Sequence, residues 1–342
     1  DFAFAMPFVN GVKGRQYVPY NTYQPSMDLA DASNVLTNWI QLTNLEDSRQ
    51  SGELVFYNMD GSVLDTKDIT LNGGARQDFS GHAAGANKVG IVEWVPDDNS
   101  VEFQVRNVRY FYDNPYSQET FDAAFQLEGT KGSGALLSAP LDTVGSTSVV
   151  EISNTTSSEI KVTVKIYDAN GTEVKSYTNK LEAHASWHVV ADSDLPSQKG
   201  LVTIKSNKRG SIVATVMQYG RTATLGIQTL YGIQAKPARG SVMRGSYNTF
   251  LGQGCRLLLG NPTDSGLTAS ISMTRYDGTK VLNGFEVAVP AKGLFDYDLC
   301  ANDNANVYGV VEVQPNTRNA LTATVVRIGE NDQYRFPTPV RQ

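Results

Sequence analysis

Short runs in which apolar and polar residues alternate with a period of two, each ending at glycine, asparagine or aspartate, fill most of the chain. That period puts successive side chains on opposite faces of a strand, and the bounding residues are those of tight turns. No segment of 12 or more residues sustains a 3.6-residue period between caps, although residues 118–126 could form a short helix. The pattern predicts an all-β fold with very little helix. A single sheet would leave one apolar face of every strand wet, so two sheets must pack face to face.

Three landmarks recur at a shift of about 110 residues, the repeat length of a small sandwich domain. The first is an apolar strand ending in asparagine: Trp39-Ile-Gln-Leu-Thr-Asn44, Val149-Val-Glu-Ile-Ser-Asn154 and Arg256-Leu-Leu-Leu-Gly-Asn261. The second is an alternating strand that reaches a tyrosine and a glycine turn: Tyr57 with Asp60-Gly61, Tyr167 with Asn170-Gly171, and Tyr276 with Asp277-Gly278. These are hairpin signals. The third is a glycine opening a β-branched run at Gly90, Gly200 and Gly309. With a further polar-apolar strand between the second and third landmarks, each copy holds about seven strands. The expected organisation is three tandem β-sandwich domains with their linkers, at residues 17–134, 135–240 and 241–342, preceded by an N-terminal strand and linker at 1–16.

Each copy closes on one more strand, at 121–127, 225–231 and 334–340. Phe2-Ala-Phe-Ala-Met-Pro-Phe-Val9 looks like another copy of that strand with no domain before it, which makes Phe2, Phe4, Met6, Phe8 and Val9 candidate assembly residues. It can pack back on the first domain as an edge strand, where Pro7 is tolerated. Alternatively it joins the last sheet of a neighbouring subunit. Such a head-to-tail contact does not close, and it grows a filament.

Composition narrows the function. An apolar share of 40% with 19% charged residues is a globular profile. A net charge of -6 without a dense basic patch argues against nucleic acid as partner. No apolar run approaches the roughly 18 residues of a membrane span. The sequence starts at Asp1, for which a cleaved secretory signal is the expected reason. Cys255 and Cys300 fit one disulfide in an oxidising compartment, or two buried thiols. As a disulfide they would stabilise the third copy by about 4 kcal/mol in the chain-entropy model. Their counterparts read as Asn38 and Gly81, then Ser148 and Ala191.

Catalytic patterns are sparse. There is no G-x-S-x-G elbow, no phosphate loop and only three histidines to serve as base. His184 and His188 on one strand face would lie about 13 Å apart, too far to share an ion; His82 stands in a glycine-rich turn. Acidic groups at 97–99, 192–194 and 302–304 can supply oxygens to calcium, yet none matches the calcium loop, and they read as self-bonded turns. No metal, cofactor or catalytic residue is expected. Tyr17, Tyr20 and Tyr23, and Tyr110-Phe-Tyr112 with Tyr116, can stack on sugar rings or pack the core. Asn154 and Asn170 head glycosylation-type triplets.

The recurring scheme, an Asn-ended strand, a D-G or N-G hairpin, a polar strand and a G-[IVL]-V strand, resembles the immunoglobulin-like repeats of secreted bacterial surface proteins. The resemblance implies three tandem immunoglobulin-like β-sandwich domains in a non-enzymatic, extracellular or cell-surface protein. A structural or adhesive role, with self-association through the N-terminal strand, is the expected function. Its alternatives are an array of carbohydrate-binding modules for a cell-surface glycan, and a virion or appendage decoration protein.

Overall fold

The computed structural model of the chain describes residues 10–22, 35–85, 87–112, 123–221, 227–329 and 335–340. In chain order the strands begin with β1 (Val12–Lys13), β2 (Gln16–Asn21), β3 (Val35–Asn44), β4 (Gln50–Asn58), β5 (Val63–Leu71), β6 (Arg76–Ser80), β7 (Val89–Pro96), β8 (Glu102–Tyr112) and β9 (Ala123–Glu128). There follow β10 (Leu137–Asp142), β11 (Ser146–Asn154), β12 (Ile160–Asp168), β13 (Glu173–Leu181), β14 (Ser186–Val190), β15 (Lys199–Ser206), β16 (Ile212–Arg221), β17 (Ile227–Gln234) and β18 (Lys236–Pro237). The last are β19 (Met243–Asn248), β20 (Gly254–Gly260), β21 (Leu267–Arg275), β22 (Lys280–Val289), β23 (Leu294–Asp298), β24 (Tyr308–Pro315), β25 (Thr322–Ile328) and β26 (Arg335–Pro339).

These strands form six antiparallel sheets in which one order occurs three times. Sheets β2-β7-β4-β5, β10-β15-β12-β13 and β19-β24-β21-β22 correspond, with β18 added beside β10. Sheets β6-β3-β8-β9, β14-β11-β16-β17 and β23-β20-β25-β26 correspond likewise. Each set of eight consecutive strands thus supplies one sheet of each kind. The short β1 pairs with β8, setting Val12 opposite Phe103. Residues 2–9, with the candidate assembly residues Phe2, Phe4, Met6, Phe8 and Val9, lie outside the described residues.

Period-two alternation does the packing. Along β12, Val162, Val164 and Ile166 are buried while Lys161, Thr163 and Lys165 face outward. Between the first two sheets, Trp94 of β7 meets Phe103 of β8 with ring centroids 4.7 Å apart. Removing either ring would cost about 3–5 kcal/mol. One apolar core runs through the first two sheet pairs and reaches Leu258, Leu294 and Val326 of the third. A second core fills the third pair around Leu257, Ile271, Met273 and Val311.

Several expectations are corrected. Residues 123–128 form strand β9, so the closing strand expected at 121–127 is present over its described part and 123–126 are not helical; 118–122 lie outside the described residues. The register also moves two alignments by one residue. Gly90, Gly200 and Gly309 pair with Asn58, Asp168 and Arg275, so the third counterpart of Tyr57 and Tyr167 is Thr274. Tyr276 instead takes the turn position of Met59 and Ala169. At each of these glycines a Cβ would stand about 2 Å from the carbonyl oxygen of Tyr57, Tyr167 or Thr274. No larger residue fits, which is why the landmark is glycine. Likewise Ala191 and Leu299 donate equivalent backbone bonds to Ser148 and Cys255, so Cys300 corresponds to His82 and Asp192 and not to Gly81 and Ala191.

Candidate functional site

The three landmark asparagines are buried and perform one task. Asn44 shares its side-chain N–H groups among the carbonyls of Ser48, Leu71 and Asn72. Asn154 does so with Ser158, Leu181 and Glu182, and Asn261 with Ser265, Val289 and Pro290. Each one therefore shapes the loop that follows β5, β13 or β22. An unpaired buried carbonyl is costly, so the loop is held in a single form. At its tip stands a residue in the left-handed region: Gly74, His184 or Lys292.

Two of these loops receive the hairpin turn of the preceding sheet pair. The β4–β5 turn enters the second loop, where the Ser186 amide donates to the Met59 carbonyl at 2.8 Å. The β12–β13 turn enters the third, where the Leu294 amide donates to the Ala169 carbonyl at 3.0 Å. Backbones meet so closely that a Cβ on Gly61 would lie 2.0 Å from the Ala183 oxygen, and one on Gly171 1.8 Å from that of Ala291. The glycines of the D-G and N-G turns thus serve contact as well as turn geometry.

The first joint buries charge. Arg109 of β8 and Glu151 of β11 are both buried and paired at 3.2 Å. Arg109 also donates to the Pro19 carbonyl at 3.1 Å, and the Asn21 side chain donates to Glu151 at 3.2 Å. Burial pushes the Glu151 carboxyl up, but Arg109, His188 and the hydrogen bonds outweigh it and hold the group below its ordinary value. Nearby, buried Glu93 accepts from Tyr17 and Tyr57 hydroxyls, each at 2.9 Å, and pairs with Arg15 at 2.8 Å. Burial first and Glu93 second raise both phenols above their ordinary range. His184 stacks flat on Tyr57, 4.2 Å between centroids, and burial lowers its pKa against the opposing pull of Glu93. An apolar patch of Tyr17, Val55, Tyr57 and Ile91 closes the joint against Val213.

The second joint is held by other chemistry on the same geometry. Lys199 reaches Asp296 at 2.5 Å, Arg256 shares that carboxylate at 2.5 Å, and Arg335 lies 3.6 Å from Asp142. Fully buried Leu201 packs over Gly260. The structural unit that repeats is therefore a turn-in-loop joint, cemented once by a buried ion pair and once by a half-exposed network.

The profile of the Family of unknown function (DUF5719) matches residues 132–330, more than half of the chain. The chain belongs to this family. The DUF5719 match runs from the linker before β10 to just past β25, so it contains the turn and loop of the second joint, with Arg335 of β26 lying beyond it. No curated protein matches by sequence. Among solved structures, "X-ray structure of the entire lipid-containing bacteriophage PM2" is 10% identical, covering 90% of this chain and 85% of that one, at a TM-score of 0.16. "The structure of a beta-glucuronidase from glycoside hydrolase family 2" is 10% identical over 88% of this chain and 30% of that one, at 0.15. An "anti-sigma factor domain-containing protein" is 9% identical over 85% and 96%, at 0.12. At such scores none of the three carries an argument.

The residues singled out by sequence are dispersed. Cys255 and Cys300 are joined as a disulfide with Cα atoms 5.1 Å apart. In the second copy the same place is closed by Asp192, which accepts from the Ser148 amide at 2.9 Å. His184 sits in the loop tip and not on the β14 strand with His188, so the two were never on one strand face. Tyr17 and Tyr20 are buried and bonded, Tyr20 to the Tyr57 carbonyl; Tyr23 and Tyr116 lie outside the described residues. Asn154 is fully buried, which removes it as a glycan acceptor. Asp194 accepts from Tyr177, and Asp303 holds Tyr247 and Arg275, so these acids serve internal bonds. Among the described residues no group of three or more His, Cys, Asp or Glu side chains is placed to hold a metal. Sequence reasoning missed Arg109, Glu151 and Glu93; charged residues inside strands of otherwise apolar and small polar character were the available signal.

Proposed function

We propose that the chain is a non-catalytic structural protein of the extracellular or cell-surface space, built as three tandem immunoglobulin-like β-sandwich domains at residues 17–134, 135–240 and 241–342 and locked into one stiff spacer. The observation that carries this reading is the joint. Domains on ordinary linkers meet through small, wet interfaces and move relative to one another. Here a hairpin turn of one sheet pair is seated in a loop of the next, twice, and the Arg109–Glu151 pair is buried between the same two sheet pairs as the first seat. A buried pair with one partner displaced is strongly unfavourable, which favours a single relative orientation.

The specific form, in which the strand at 2–9 is donated to a neighbouring subunit, is tested by deleting residues 1–14 and measuring particle size; unchanged assembly would refute it. The spacer itself is tested by small-angle scattering. A stiff rod gives one elongated form, whereas Arg109→Met should broaden the distribution of shapes about the first joint. Scattering from the intact chain that requires freely jointed domains would contradict the proposal.

A further inference from the structure

We propose that copies of this chain also join end to end, the β21–β22 turn of one copy seating in the β5–β6 loop of the next, as the two internal joints do. The idea rests on the structural-subunit reading and names the surface through which such a subunit would propagate. Among the described residues three turns and three loops form two joints, which leaves one turn and one loop unfilled.

Both leftovers keep the form of the used ones. In the third turn the Gly278 amide donates to the Arg275 carbonyl at 2.9 Å, as Gly61 and Gly171 donate to Asn58 and Asp168. All three glycines have φ of 88°. Yet among the described residues nothing lies within 4 Å of a Cβ built on Gly278. In the first loop, Asn44 makes the same three bonds as its counterparts, and the Ala75 amide donates to the Asn72 carbonyl as Ala185 and Gly293 do to Glu182 and Pro290. A Cβ on Gly74 likewise meets nothing within 4 Å. The Arg76 amide occupies the place of the Ser186 and Leu294 amides that receive a turn.

The surface around the free turn has the chemistry of an interface left open. Next to the landmark glycine, Ile91 and Leu201 are fully buried in the internal joints, while their counterpart Val310 is 47% exposed. Beside it Tyr276 is 64% exposed, stacked on exposed Tyr308 at 4.9 Å. Phe250 packs against the same ring at 6.1 Å. Contiguous exposed aromatic and aliphatic surface of this kind marks an interaction site. The free loop offers the half-exposed Trp39 with Gln41, Arg76 and Asp78 around a shallow depression. Turn and loop are different surfaces, so the contact is head-to-tail, and it propagates.

Sedimentation of the intact chain and of two variants blocked at opposite ends tests this. Val310→Asp spoils the turn end at an exposed site; Arg76→Pro deletes the amide donor at the loop end, with Trp39→Glu as a second loop-end block should the proline disturb β6. The average mass of the intact chain should rise with concentration, and each variant alone should stay monomeric. Mixing one of each should give a dimer and nothing longer, because only one good turn and one good loop remain. Blocked variants that polymerise like the intact chain overturn the inference. So does loss of assembly on deleting residues 1–14 with none on Val310→Asp, which assigns assembly to strand donation. An intact chain that stays monomeric at all concentrations, yet scatters as a stiff rod, overturns end-to-end joining and leaves the spacer reading standing.

Discussion

Ile91 and Val310 occupy the same place in corresponding sheets, one residue after the landmark glycine, yet Ile91 is fully buried and Val310 is 47% exposed. The difference comes from outside each sheet pair: residues of the following pair cover the first position, and among the described residues none covers the last. Burial at equivalent positions thus reads out which joints are filled.

The buried pair Arg109–Glu151 makes the most direct test of the first joint. Arg109→Met should destabilise by about 3–5 kcal/mol, since it leaves a buried carboxylate without its partner. The double variant Arg109→Met/Glu151→Leu should recover most of that loss, because two apolar side chains need no compensation. Chemical denaturation of the three proteins measures both effects.

Acid should loosen the same joint. Glu151 is held below its ordinary 4.5, so its contribution is fully present above that value and is lost as pH falls through the folded value. His184 and His188 are lowered from 6.5, chiefly by burial, with Glu93 and Glu151 respectively pulling the other way. Their neutral forms suit the fold, so stability present above pH 6.5 declines as pH drops beneath it. All three act in one direction. Melting temperature followed from pH 7.5 downward should fall in two stages, and the His184→Gln/His188→Gln variant should flatten the first.

Each landmark asparagine is a stabilising clamp. Asn154→Ala strips three buried or partly buried carbonyls of a donor, and the expected loss is at least about 2 kcal/mol. Asn154→Asp should fare no better, as it replaces donors with acceptors. Hydrogen exchange should show the amides of the loop at 182–186 losing protection first.

Reduction should act on the third sheet pair alone. The disulfide closes a loop of 45 residues, so its removal by Cys255→Ala/Cys300→Ala should cost about 4 kcal/mol. Proteolysis should then begin within residues 241–342 while the first two pairs resist.

Much of the fold was legible because it depends on local rules. Period-two alternation, glycine turns and the spacing of Asn44, Asn154 and Asn261 announce strands and a repeat. One-residue errors arose where sequence offered two equal choices. A tyrosine before a D-G turn looked like the strand-end tyrosine, but the pairing of Arg275 with Gly309 puts Tyr276 on the turn. The joints were not legible, since Met59 and Ser186 lie far apart in sequence and meet through backbone atoms that carry no residue signature. Nor was the burial of Arg109, whose partner Glu151 sits in the next sheet pair. Only the topology brings them together.

Negative-stain imaging of the intact chain tests the central claim, a stiff three-part subunit whose joint repeats. Straight rods of uniform shape that lengthen end to end as concentration rises are the expected result. Particles whose three lobes take many relative angles, with no end-to-end contacts at any concentration, would contradict it.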